Sequence, residues 1–191
     1  GLYDAMNKGI KYAKGDVVGI LNSDDFFENS TVISDVVKHF EYNPSISLLF
    51  GDVVHVDPNN TKKITRFYSS KEFQPFKLRF GWMPPHTATF IKTEVFEIVG
   101  DYSLDYRISA DFELFVRMLI LNKLIYSRLD KVLVRMRTGG LSTSGIKSNF
   151  VLNTEIVKAC KDNGVYTNLF LLLLKIPMKI LELFRRPKKK Y

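Results

Sequence analysis

Two adjacent carboxylates, Asp24 and Asp25, close the run "VVGILNSDDFF" at the end of an apolar segment that has the length of a buried strand. In open α/β sheets, ligands bind just beyond the carboxyl ends of the strands, which is where Asn22, Ser23, Asp24 and Asp25 fall. Neighbouring carboxylates repel unless a cation or several donors offset them. Mg2+ or Mn2+, held by one or two carboxylates together with water and diphosphate oxygens, suits such a turn. The competing reading is a turn ahead of a helix at Thr31, with Asp and Asn as local hydrogen-bonders. A third carboxylate lies in "RISADFELFVRMLIL", where Ser109 has the character of an N-cap and Asp111 shares a helical face with Leu114, Phe115 and Met118. That face is apolar, so the carboxylate points where the core points. Asp111 either serves as a general base or complements the helix dipole. Glu113 and Arg117, at i and i+4, read as a surface pair. In "RMRTGGLSTS", Arg137, Thr138 and Ser142 combine a fixed positive charge with glycines that let backbone N–H groups approach an anion such as a diphosphate. A flexible turn between a strand and a helix is the alternative there.

The elements that must position these groups follow from periodicity. Leu2, Met6, Ile10 and Ala13 predict a helix closed by Gly15, feeding a fully apolar strand over Asp16 to Leu21. A helix is expected over Thr31 to Glu41, capped by Ser30, then an extended run over Ser47 to Val56, a "DPNN" turn and a strand over Lys63 to Tyr68. A short helix over Lys71 to Phe80 precedes a strand in "HTATFIK" that starts at His86. Helices over Glu94 to Val99 and Ala110 to Leu121, strands around Leu124 to Arg128 and Val132 to Arg137, and a helix over Ser148 to Lys161 complete the pattern. Alternating helices and apolar strands predict an α/β sheet flanked by helices, and the opening helix followed by a strand reads as the second half of a βαβ crossover.

Length and composition narrow the class. At 191 residues, with 46% hydrophobic and 25% charged residues, the chain holds a real core and is neither fibrous nor disordered in character. Cys160, the one cysteine, excludes an internal disulfide and a cysteine-based zinc site, and reads as a core residue in a reducing compartment. Of the net charge of +8, +6 falls in residues 175–191, leaving +2 for the rest, so a duplex-binding face on the body is disfavoured and no nucleic-acid partner is expected. The opening "GLYDAMNKGIKYAKG" has a helical pattern rather than that of a signal peptide, and no run of about 18 apolar residues is present. A cytoplasmic protein is the expectation. Between Leu169 and Arg186, Lys175, Lys179, Glu182 and Arg186 form one polar stripe among Leu, Ile, Met and Phe, with "RRPKKK" after it. That C-terminal amphipathic helix, kinked or split at Pro177, suits a membrane interface, or else docks on the body.

The segments "GLYDAMNKGIKYAKGDVVGILNSDD" and "GWMPPHTATFIKTEVFEIVGDYSLDYRISADFELFVRM" together resemble the family 2 inverting glycosyltransferases of the GT-A fold, especially bacterial enzymes of polysaccharide assembly. The resemblance covers residues 1 to about 145. It implies that Asn22 to Asp25 is the acidic metal motif, with Asn22 where many relatives carry a first aspartate and Asp24 and Asp25 bearing the metal. It implies that Asp111 is the catalytic base, and that His86 contacts diphosphate or acceptor, against a merely structural role. Tyr3, Asp4 and Asn7 match the segment ahead of the metal strand, where donor contacts are expected, although helix capping alone also explains Asp4.

The resemblance further implies a nucleotide-diphosphate sugar donor, a glycan or lipid-linked acceptor, and attachment to the inner face of the plasma membrane through the tail. The resemblance makes residues 1–162 a partial GT-A domain, and composition sets apart a basic amphipathic tail over 163–191. Relatives open with a strand, a helix and a second strand whose loop holds the nucleotide base, so a sheet lacking its first βαβ portion, and weak activity of this piece alone, are expected. A non-catalytic remnant or membrane-surface module, a metal-dependent hydrolase and a nucleic-acid binder are the rival classes.

Overall fold

The structure, a computed structural model, describes residues 1–138 and 146–174. Helix α1 (Leu2–Tyr12) buries Met6 and Ile10 of the stripe its spacing predicts, but Tyr3 in place of Leu2, which is 62% exposed, and it leads into strand β1 (Val17–Gly19). A two-residue strand, β2 (Phe26–Phe27), follows the acidic turn, and then α2 (Val32–Tyr42). Its N-cap is Thr31, not Ser30; Asn29 Oδ1 accepts from the Thr31 backbone N–H and hydroxyl. Strand β3 (Leu48–Val56) is one nine-residue strand, followed by β4 (Ile64–Tyr68), β5 (Thr89–Lys92), helices α3 (Glu94–Val99) and α4 (Ala110–Val116), β6 (Tyr126–Arg137), α5 (Ile146–Asp162) and α6 (Leu169–Leu173).

The sheet runs β1-β5-β3-β6-β2, with β4 added to β3 beyond the end of β5. Among the described residues β3 and β6 pair in parallel and the other strand pairs are antiparallel. Alternation along β3 sends Leu48 and Phe50 to a core under α1, α3, α4 and α5, and Leu49 and Val53 to a second core under α2. Gly51 allows β6 to approach, since a Cβ there would lie 2.5 Å from the Leu133 side chain. Next to it, Asp52 is buried but paired: Arg128 donates to it at 2.7 Å and the Ser70 backbone at 2.8 Å, tying the loop after β4 to the sheet.

Several sequence expectations change. The first strand is short and half-buried rather than fully enclosed, because it lies at the sheet edge. Residues 71–80 form a 3-10 turn over Pro75–Phe80 in place of a helix, Pro75 supplying its start. The strand in "HTATFIK" begins at Thr89, His86–Ala88 being a 3-10 turn of its own. The two strands expected after Leu124 are one continuous β6, and the helix from Ala110 ends in a π-turn over Arg117–Leu121. Residues 163–174, grouped with the tail on composition, pack on the body, with Leu172 buried. Among the described residues no helix is long and apolar enough to cross a membrane. Ser142 and the basic stripe from Lys175 onward lie outside the described residues.

Candidate active site

The sequence-selected residues fall into two clusters. The first surrounds Asp111. Helix α4 presents Leu114 and Phe115, each 1% exposed, to the core, and Asp111 on the same face is half-buried. The Phe112 backbone N–H donates to Asp111 Oδ1 at 2.8 Å and the Tyr3 hydroxyl approaches it at 3.3 Å. Tyr3 also donates to the Ile108 carbonyl, and its ring stacks on Tyr102 at 5.8 Å. The Tyr102 hydroxyl lies 2.7 Å from His86 Nε2. Asn7 fastens Tyr102 at two points, donating to its carbonyl at 2.8 Å and accepting its N–H at 2.9 Å. Burial, and then the Asp111 charge, raise the Tyr3 and Tyr102 hydroxyls well above the usual tyrosine range. Burial lowers His86, and Asp111 partly opposes that shift. The three aromatic groups thus stay neutral around one carboxylate.

This arrangement gives Tyr3 and Asn7 protein partners that the sequence did not suggest. Their polar atoms point inward from α1, while Asp4, on the exposed side of that helix, pairs with Lys8 at 2.9 Å. Glu113 and Arg117 are not surface groups: Glu113 is 5% exposed, Arg117 binds it at 2.8 Å, and the same guanidinium donates to the carbonyls of Val99, Gly100 and Asp101. Their i,i+4 spacing is correctly read, but the face is covered by the loop that carries Tyr102. Tyr102 and Glu155 are the residues that sequence reasoning passed over; an aromatic in "GDYS" and one acid inside an amphipathic helix carry no signal of their own.

The second cluster is the acidic turn. Gly19 admits the Phe90 ring over β1, as a Cβ there would come within 2.8 Å of it, and the chain then leaves the sheet into Asn22 to Asp25. The Asp25 N–H returns to the Asn22 carbonyl at 3.1 Å, and the Asn22 amide donates to Asp25 Oδ2 at 3.0 Å. Asp25 is 8% exposed while Asp24 is open to solvent. Burial first, and the neighbouring Asp24 charge, raise the Asp25 carboxyl above its ordinary value, partly countered by the Asn22 amide and Arg137. From β6, Arg137 donates to the Asp24 carbonyl at 2.6 Å and lies over the Phe26 ring at 5.1 Å. Thr138 is occupied at the Val56 carbonyl, through its N–H at 3.1 Å.

Among the described residues neither Asp24 nor Asp25 makes an ion pair, and no group of three or more His, Cys, Asp or Glu is gathered. A cation at this turn would therefore rest on two carboxylates and exogenous oxygens. A buried carboxylate disfavoured as an anion beside an exposed one fits that donor set. β1 pairs with β5 at Gly19 and Phe90, and Leu21, just ahead of the acidic turn, lines a cavity of about 200 Å3 together with Thr87, the neighbour of His86. That cavity is otherwise apolar, bounded by Phe27, Ile33, Val36 and Val37, and holds none of the carboxylates.

The mixed sheet with helices on both faces resembles the GT-A fold of solved glycosyltransferase structures. The chain belongs to glycosyl transferase family 2, whose family model matches residues 1–97. Among characterised sequences, a PGL/p-HBAD biosynthesis glycosyltransferase of Mycobacterium bovis is 30% identical over 154 residues, which is 79% of this chain and 57% of that protein. An uncharacterized glycosyltransferase of Mycobacterium tuberculosis is 31% identical over 118 residues, covering 61% of this chain and 44% of the relative. The chain therefore spans about half the length of these relatives. Staphylococcus aureus TarS residues 1–349 superimpose with a TM-score of 0.55 at 15% identity, covering 83% of this chain and 44% of that 1–349 chain. The same protein in complex with UDP-GlcNAc gives 0.53, covering 79% and 45%. These likenesses establish the fold.

Proposed function

We propose that this chain belongs to a metal-dependent, inverting glycosyltransferase that takes a sugar from a nucleotide-diphosphate donor to a glycan or lipid-linked acceptor in cell-surface polysaccharide synthesis. The observation that carries the reading is the Asp111 carboxylate, oriented by its own helix and approached by the Tyr3 hydroxyl at 3.3 Å, with the neutral pair Tyr102 and His86 next to Tyr3. In an inverting transfer the acceptor hydroxyl gives its proton to the carboxylate as its oxygen bonds to the anomeric carbon. The bond from that carbon to the diphosphate oxygen breaks on the opposite face, and the nucleoside diphosphate departs with the electron pair. Asp111 is suited to receive that proton. Mg2+ or Mn2+ at Asp24 and Asp25 would offset the charge of the departing diphosphate. Arg137 holds the acidic turn through the Asp24 carbonyl, and its guanidinium adds positive charge on that side. A fold neighbour solved with UDP-GlcNAc supports a nucleotide-sugar donor.

The test is transfer of labelled sugar from a panel of nucleotide sugars by the full-length protein. Asp111→Asn should lower turnover by about 10^2- to 10^4-fold and leave donor binding within about threefold. Normal turnover in that variant would remove the base assignment. Free sugar released without acceptor at a rate matching transfer would instead indicate a hydrolase.

We place the protein at the inner face of the plasma membrane through residues 163–191. Exposed apolar groups on and beside α6, Phe170 at 71% and Leu173 at 56%, immediately precede a sequence with seven basic residues and one acidic one. Co-sedimentation with anionic vesicles, lost on deletion of 175–191 and absent with neutral vesicles, is the expected result. Equal binding to both vesicle types would exclude the electrostatic part.

A further inference from the structure

We infer that Glu155 of α5 is a positioning residue for Asp111, acting through the three-residue loop that launches α4. Its carboxylate accepts three backbone N–H groups in succession: Arg107 on Oε1 at 2.8 Å, then Ile108 and Ser109 on Oε2, each at 2.9 Å. A single side chain reaching from another helix thus takes up the backbone donors of the loop directly ahead of Ala110 and Asp111, including the N–H of the N-cap residue. Ser109, the residue at the cap position, makes no side-chain cap bond; its hydroxyl turns to the Leu152 carbonyl at 3.5 Å. The Ile108 peptide is held from both sides, its N–H by Glu155 and its carbonyl by the Tyr3 hydroxyl, which also reaches Asp111.

The platform under Glu155 is stiff. Its neighbour Ile156 and the next turn's Ala159 and Cys160 are buried in the core cluster that contains Leu114 and Phe115, so α5 and the inward face of α4 share one packed layer. Hydrogen bonds to an ionised acceptor are the stronger kind, and three of them on one loop fix its path over the span that sets where Asp111 stands. A shift of the order of 1 Å in a reacting group costs about 10^2-fold in rate, so a side chain that never meets the substrate can govern turnover.

The inference rests on Asp111 being the base, and its test separates the two. In the full-length protein, turnover, donor KM, donor binding and thermal unfolding are measured for Glu155→Ala and Glu155→Gln, alone and with Asp111→Asn. Glu155→Ala is expected to lower kcat about 10- to 100-fold with donor binding within about threefold. Glu155→Gln should recover part of that loss, since its amide oxygen can still accept from Ile108 and Ser109 while its NH2 faces the Arg107 N–H. In the Asp111→Asn background, Glu155→Ala should cause no further fall in residual transfer, because the group it positions is already gone. Independent, multiplying losses beside an impaired Asp111→Asn would overturn the positioning role and leave the base reading standing. Full transfer by Asp111→Asn would overturn both. A folded Glu155→Ala with unchanged kcat, or with a raised donor KM alone, would also overturn it. Should Glu155→Ala fail to fold, the same cycle run with Glu155→Gln decides, a loss of about threefold or more that disappears in the Asp111→Asn background being the supporting result.

Discussion

Asp111 and the acidic turn are both carboxylate sites, yet they are built on opposite plans. Around Asp111 the scaffold is held at many points: Asn7 on Tyr102, Tyr3 on Ile108, Glu155 on the loop, and Arg117 on the carbonyls of Val99, Gly100 and Asp101. The acidic turn has one amide, one turn hydrogen bond and one arginine on its backbone, and the Asp24 carboxylate is left open. A general base must meet a single oxygen at hydrogen-bond distance, which demands a rigid mount. A turn that receives a cation works the other way, since its oxygens must stay uncommitted until the ion and the diphosphate arrive.

The strongest test of this contrast attacks the mount. Arg117→Met leaves Glu113 buried without its charge partner, the Asn163 amide still donating to it at 3.1 Å, and strips three carbonyls of a donor, so unfolding in urea should show a loss of about 3–5 kcal/mol. Adding Glu113→Gln should restore part of it. A loss below about 1 kcal/mol would mean that the clamp contributes little, and the contrast would then be one of geometry only.

At the acidic turn the effect should appear in binding and not in folding. Asp25→Ala is expected to weaken metal-dependent donor binding by about 10- to 100-fold, measured by titration with Mn2+ present and after chelation. Asp25→Asn removes a charge that burial disfavours, so without metal its thermal midpoint should equal or exceed that of the parent protein, while any rise on adding Mn2+ should vanish. A large destabilisation by Asp25→Asn would show that the carboxylate is part of the scaffold after all.

How much of this was legible beforehand depends on the kind of interaction. Periodicity found α1, α2 and the apolar face of α4, because an inward stripe is written in the residues themselves. The two aspartates at the turn stood out for the same reason: local sequence alone brings them together. Burial of Glu113 and Arg117 was invisible, because spacing identifies an ion pair but not what covers it. Glu155 was invisible too, since it acts across about 45 residues on backbone donors that have no sequence identity. The strand expected from His86 failed for a more local reason, Pro85 holding the extended residue from which a 3-10 turn starts.

Acid should separate the clusters further. His86 is lowered by burial, so the unfolded chain takes up a proton more readily. The stability it contributes is complete above about pH 6.5 and is lost as pH falls through its folded value, with Tyr102 and Asp111 the groups it faces. Asp25 has the opposite sign: its raised value favours the folded state at low pH, and that contribution is lost as pH rises through the folded value. Hydrogen exchange, corrected for its intrinsic pH dependence, should show protection over 85–103 falling between pH 7 and 5 while that over 20–27 holds. A parallel fall in both segments would contradict the assignment.

The smallest change is the most discriminating. Tyr3→Phe keeps the ring on Tyr102 and removes only the hydroxyl, with its bond to the Ile108 carbonyl and its reach to Asp111, for about 1 kcal/mol of stability. If Tyr3 met the donor, as the family segment alone would suggest, the loss would appear as a raised donor KM with kcat preserved. The inward direction of the hydroxyl leads to the reverse: kcat lowered about three- to tenfold, KM for donor unchanged, because what moves is the carboxylate and not the sugar nucleotide. The outcome separates a ligand contact from a brace at one oxygen atom, in a variant whose packing is otherwise the same.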